Sequence, residues 1–277
     1  MAADEVDWDA AMQGADWFHW TGITPALGSG ARELLGAALA AAKSAGVKPL
    51  IGCELYLVET SRLEKHGRSD DGKTLFHLGL LAKNLTGYQN LLKLVSDAHL
   101  KGFYYKPRID RELLQECHTG LVCLSACVGG VVGAHLLDEN LEAAAEATSW
   151  YRDLFGEDFY LEIQNHNIDV DRPILRGVPE LARSLDVPMV VTNDCHYIAR
   201  EHVVAHNVLL HIRDASKSGV EIDVERELRY QTGEFYFKTA EEMAALFPDH
   251  PDAIARTLEI AAKCNVEIPE KLYMPAF

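Results

Sequence analysis

The feature that most constrains this chain is the alternation of short runs rich in Val, Ile and Leu with helix-like stretches of ten or more residues. Strand-like runs fall at residues 47–58, 74–82, 120–125, 159–164 and 187–193. Helix-like stretches fall at residues 32–44, 86–99, 128–137, 141–155, 171–185 and 201–212. This is the period of βα units around a mostly parallel sheet. A closed barrel and an open doubly wound sheet both satisfy it, and the spacing does not choose between them. Residues 60–72 read as a charged loop, and residues 216–238 are polar until the strand-like run at 235–238. Thr239 and Glu242 make a capping box for a helix reaching Ala245, and an amphipathic helix follows over 251–264. Residues 1–30 stand apart: Trp8, Trp17, Phe18 and Trp20 offer surface to bury, but Gly22, Pro25, Gly28 and Gly30 interrupt them. The tail, 268–277, has no clear closing element and reads as a linker or docking strand.

Composition narrows the function classes. The 277 residues are 48% hydrophobic, enough for a substantial core. Twenty-six Lys and Arg stand against 42 Asp and Glu, a net charge of -16. That charge opposes the phosphate backbone, so a broad DNA-gripping surface is not expected, and contact with DNA falls to a local patch or a neighbouring domain. The six cysteines form no CxxC pair, which argues against a zinc ribbon. The acidic start lacks the basic residues of a signal peptide, and no apolar run approaches the length of a membrane span. A reducing cytoplasm is the expected compartment. There is no P-loop, G-x-G-x-x-G, G-x-S-x-G or HExxH.

The chemistry-bearing residues lie in or just beyond the strands, where an α/β barrel places its active groups. Asp194 and His196 follow a strand and are two apart, so in an extended segment both face one way. They read as half of a zinc, manganese or iron site, or as a helix cap and an ordinary hydrogen bond. His77 lies among apolar neighbours, and Glu54 is a lone carboxylate in a hydrophobic strand that calls for a cation. Cys127 follows another strand and is either a soft metal ligand or an inert buried thiol. Glu162 and His166 are four apart across a strand end, on one face of a straight strand, and His206 lies on a helix four residues after His202. These three are candidates for supporting the ligands or facing the substrate. Taken together, this mixed set of N, O and S donors suits zinc or manganese, more than magnesium, in phosphate-ester hydrolysis. Separately, Lys101, Tyr104, Tyr105, Lys106, Arg108 and Arg111 form the one local basic-aromatic patch, for contact with DNA or with another domain.

Several segments carry a family resemblance: LLGAALAAAKSAGVKPLIGCELY, FHLGLLAKNLTGYQNLLKLVSDAHLKGFYYKPRID, LEIQNH, VVTNDCHY, GEFYFKTAEEMAALFPD and TLEIAAKCNV. With them the chain resembles the polymerase-and-histidinol-phosphatase (PHP) domain at the start of bacterial DNA polymerase III α subunits. The resemblance implies a distorted seven-stranded, TIM-like barrel over residues 31–267, with 1–30 as a divergent segment. It also implies a polymerase region beyond 268–277 and other replisome subunits as partners. Family members with an intact site hold up to three metal ions, and some act as 3′–5′ exonucleases. By motif match the ligands here are Glu54, His77, Cys127, Asp194 and His196.

This sequence departs from the active pattern at its start. The family opens on a strand bearing H-x-H and an S-L-L-D-G stretch, and residues 1–30 contain neither. Where the family has T-D-H-G, this chain has Ser29-Gly30-Ala31-Arg32, which replaces ligands with a cation. The expectation is therefore a domain with a decayed site or an altered first βα unit, structural in role, in preference to one weak metal held by Asp194, His196 and Glu54. The alternatives are an active phosphoesterase, on a DNA end or a small phosphate monoester, and a non-catalytic interaction module.

Overall fold

The computed structural model describes residues 7, 17–21, 37, 38, 40–42, 44–65, 75–218 and 228–268, with 17–21 and 213–218 as backbone only. The expectations for the side chains of the early tryptophans, for Arg32 and for the tail from 269 onward lie outside what is described. The chain divides into two compact units. The first comprises residues 1–124, 153–158 and 259–277; the second comprises 125–152 and 159–258.

The first unit is built around the long strand β2 (Lys48–Val58). Strand β1 (Trp17–Thr21) runs parallel to its first half, and β4 (Arg108–Asp110) runs parallel to its last residues. The other edge of β2 carries β3 (Phe76–Ala82), antiparallel, and β3 in turn carries β5 (Leu121–Leu124), also antiparallel. The sheet is therefore mixed, which corrects the mostly parallel arrangement expected from the alternation. Residues 59–75 are a charged stretch without helical periodicity in the sequence, whereas parallel neighbours need a long crossover, usually helical.

Strand β3 alternates strictly. Phe76, Leu78, Leu80 and Ala82 are buried, while His77, Gly79 and Leu81 are half-buried on the opposite face. The buried face packs on helix α1 (Leu85–Leu100), whose Leu91, Leu94 and Ala98 point inward. Burial of each such leucine contributes about 1.5–3 kcal/mol. Asn84 caps α1 by accepting from the Gly87 amide at 3.0 Å. Helix α2 (Arg111–Cys117) follows β4 directly, and Asp110 caps it by accepting from Leu113 N at 3.1 Å.

In the second unit, β6 (Phe159–Ile163) is buried at all five positions and pairs in parallel with β7 (Met189–Val191). Helix α5 (Asp171–Leu185) makes the crossover between them and packs on β6 and on α3 (Val131–Leu137). Helix α4 (Leu141–Phe155) brings Tyr151 to stack on Phe159. Beyond β7 come α6 (Val203–Ser218), α7 (Ala240–Leu246) and α8 (Pro251–Lys263). The capping box of Thr239 and Glu242 forms as expected. The run at 235–238 is not a strand: Tyr236 alone makes an isolated bridge, to Tyr197. Among the described residues no helix is long and apolar enough to cross a membrane.

Candidate functional site

The half-buried face of the β2–β3 pair holds the first two candidate ligands. Cross-strand register sets Glu54 opposite Gly79 and Tyr56 opposite His77, so Glu54 and His77 are diagonal neighbours on one face. Their side chains approach to 3.5 Å, from His77 Nδ1 to Glu54 Oε1. Glu54 is 47% exposed, which corrects the expectation of a buried carboxylate needing a cation. The hydrophobic run around it reflects the other face of β2, where Leu55 and Leu57 are buried. The His77 ring also meets Tyr56 edge to face, with centroids 5.3 Å apart.

The basic-aromatic patch does not present its six residues together. Arg108 is buried: its Nε donates to Gly102 O at 2.9 Å and its Nη2 to the carbonyls of Arg62 and Glu64 at 2.8 and 2.9 Å. Burial lowers its pKa. Arg111 pairs with Glu59 at 2.9 Å and Lys101 with Asp97 at 2.5 Å. Tyr104 lies against both Tyr105 and the Arg108 guanidinium. Lys106 turns the other way, to Tyr56: its Nζ donates to Tyr56 Oη at 3.4 Å and lies 5.0 Å from the ring centroid. One row thus joins Lys106, Tyr56, His77 and Glu54. Tyr56 was not singled out in the sequence, although its position two residues after Glu54 put it on the same face.

The second unit holds the other pair. Asp194 adopts a left-handed backbone (φ 44°) just beyond β7, and His196 Nε2 lies 3.4 Å from Asp194 Oδ2. The His196 ring contacts His206, Tyr230 and Phe235, with centroids 5.0–5.4 Å apart. Burial lowers the pKa of the His206 imidazole, and the His196 ring lowers it further.

Asn193 holds this loop in place. Its amide donates to the carbonyls of Tyr236 (2.8 Å) and Glu234 (3.2 Å), and its side-chain oxygen accepts from the buried Lys238 ammonium at 3.3 Å. The His196 amide donates to Phe235 O at 2.8 Å. Asn193 and Lys238 were not anticipated. An Asn-Asp pair after a strand is a turn signal, but its partners lie some forty residues on and leave no local trace.

Glu162 and His166 are both buried and engaged internally. Thr192 Oγ1 donates to Glu162 Oε1 at 2.8 Å and itself accepts from Gln164 Nε2 at 2.7 Å. His166 Nε2 donates to Asn193 O at 3.1 Å, its amide donates to Asp171 Oδ2 at 2.6 Å, and its ring stacks on Phe235. They brace the Asp194 loop from beneath. Cys127 sits half-buried in the turn before α3, where its sulfur accepts from Gly129 N at 3.4 Å.

A tightly held divalent ion takes three or four protein donors. Each pair supplies a carboxylate and an imidazole. Within neither unit do the described residues gather a group of three or more His, Cys, Asp or Glu side chains suited to a metal. Within either unit alone, the described donors stop short of that number.

Against known proteins, the PHP domain family matches residues 29–166. The chain is 43% identical over 224 residues to the DNA polymerase III subunit alpha of Borreliella burgdorferi, covering 81% of this chain and 19% of that protein. It is 43% identical over 226 residues to the corresponding subunit of Treponema pallidum, with the same shares covered. The Thermus aquaticus subunit is 42% identical over 232 residues, covering 82% of this chain and 19% of its own length. The chain thus spans about a fifth of the length of these relatives.

Proposed function

Since this chain carries a PHP domain of the kind found in DNA polymerase III α subunits, we propose that it serves as the amino-terminal domain of such a subunit, in DNA replication, with a structural role. In this reading the chain has the family's distorted seven-stranded, TIM-like barrel fold. A polymerase region of the same polypeptide is its neighbour, other replisome subunits are its further partners, and DNA is held mainly by those neighbours. The protein works in the cytoplasm.

One observation carries the structural role. The carboxylate–imidazole pairs at Glu54/His77 and Asp194/His196 persist, while the residues that would complete a cluster are missing. His19 is the sole histidine before residue 66, and Arg32 stands where the family has its D-H pair. In this reading a cation in place of ligands, with the H-x-H donors missing, leaves any ion weakly held. The pairs then act as ordinary polar contacts, one on the β2–β3 face and one in the loop after β7.

The test is incubation of the purified chain with a 3′-ended oligonucleotide and Mn²⁺ or Zn²⁺. The expected result is no shortening above a metal-only control. Rapid trimming by the pure protein would overturn the structural reading in favour of an active phosphoesterase.

A further inference from the structure

The end of β7 away from the Asp194 loop borders a cavity of about 430 Å³. Its walls come from the second unit alone: the end of α5, residues 186–189, and the start of α8. Pro179, Val187, Pro188 and Met189 give it an apolar side. One charged pair in the lining is already matched: Arg256 donates to Asp252 Oδ2 at 3.2 Å and to Met189 O at 2.9 Å. A second pair is not. Arg183 and Asp186 both line the cavity, yet among the described residues neither side chain has an ion-pair or hydrogen-bond partner. Asp186 is also placed against local preference. It caps α5 in a left-handed conformation (φ 52°), where glycine or asparagine is usual. Its carboxylate stands at the negative end of a helix of 15 residues. A charge that costs the fold free energy and has no partner within it calls for one from outside.

We propose that this cavity binds a free amino acid with an apolar side chain. The lining sets one unmatched cation and one unmatched anion beside apolar walls. A simple anion would be repelled by Asp186, and a simple cation by Arg183. A zwitterion satisfies both: its carboxylate accepts from the Arg183 guanidinium, and its ammonium donates to the Asp186 carboxylate. An apolar side chain then rests against Pro188 and Met189 and contributes through the area it buries. The volume lies in the range of small-molecule sites. The site shares no residue with the Glu54/His77 or the Asp194/His196 pair.

The test is saturation-transfer NMR on the full chain with millimolar L-leucine. Beside it run L-leucinamide, which lacks the carboxylate, and N-acetyl-L-leucine, which lacks the ammonium. Leucine should bind, and each blocked form should bind about tenfold more weakly, the size of one lost charge-assisted hydrogen bond. Arg183→Met should bring leucine down to the level of leucinamide, and Asp186→Asn to that of N-acetyl-leucine. Asp186→Asn should leave thermal melting unchanged or raise it, since it removes a charge that opposes the helix dipole. That separates lost binding from lost folding. No saturation transfer to leucine, equal binding of all three compounds, or leucine binding that survives both substitutions would overturn the proposal. A lower melting temperature for Asp186→Asn would also overturn it, by giving the carboxylate a role in the fold. Failure of the polymerase reading would leave this result untouched, because the cavity is formed within the second unit alone.

Discussion

At the residue scale, charge is spent inward. Arg62 binds Asp97 at 2.8 Å and Asp110 at 2.8 and 3.0 Å, with side-chain exposures of 11, 10 and 5%. Burial pushes the Asp97 carboxyl up, but hydrogen bonds from Lys101 and Arg62 outweigh it and leave the group below the usual range. Arg62→Met would leave the buried Asp110 without its cation and Asp97 with Lys101 alone. It should cost about 3–5 kcal/mol, read as a lower urea midpoint with an unchanged slope. A loss below about 1 kcal/mol would mean that the pair is solvated like a surface ion pair. The His206 imidazole gives a pH signature. Its folded pKa is lowered by burial first and by His196 second. The unfolded chain therefore takes up this proton near the ordinary histidine value, about 6.5, before the folded chain does. The stability tied to a neutral His206 is complete above that pH and is lost as pH falls through the lower folded value. An NMR titration should place the His206 midpoint below that of a free histidine, and a midpoint above it would contradict the packing described for the ring.

At the element scale, close backbone contact between two glycines sets the seat of α1. A Cβ on Gly87 would lie 1.8 Å from the carbonyl oxygen of Gly120, and Gly120 itself is left-handed (φ 77°). Gly87→Ala should destabilise by about 1–3 kcal/mol or more, because the obstacle is backbone and cannot rotate away. Calorimetry on the purified variant checks this, and an unchanged melting temperature would contradict it. The elements also show what a sequence reveals. Helices α4 and α5 were legible to the residue because their apolar spacing is uninterrupted. Strand β4 and helix α2 were hidden by their polarity: Arg108, Asp110 and Arg111 read as surface. The apolar set Ile109, Leu113, Leu114 and Cys117 was the signal, and all four are buried. The direction of β3 was equally open, since hydrophobicity sets which face is buried and not which way the strand runs.

At the scale of the whole molecule, a net charge of -16 opposes the phosphate backbone of DNA. The five candidate ligand positions were legible as residue types in or beside strands. Their pairing as Glu54 with His77 and Asp194 with His196 was not, because it depends on strand register and on a loop braced from residues 234–238. The expectation of missing ligands rests on sequence alone, on the lack of the H-x-H and D-H motifs in residues 1–33. The central proposal is that this PHP domain carries too few donors for a metal cluster. The most direct test is elemental analysis of the full chain after equilibration with excess Zn²⁺ and Mn²⁺ and removal of free ions by gel filtration. The account predicts less than about one ion per chain, lost on further dilution. About two or three ions per chain, surviving the column, would contradict it.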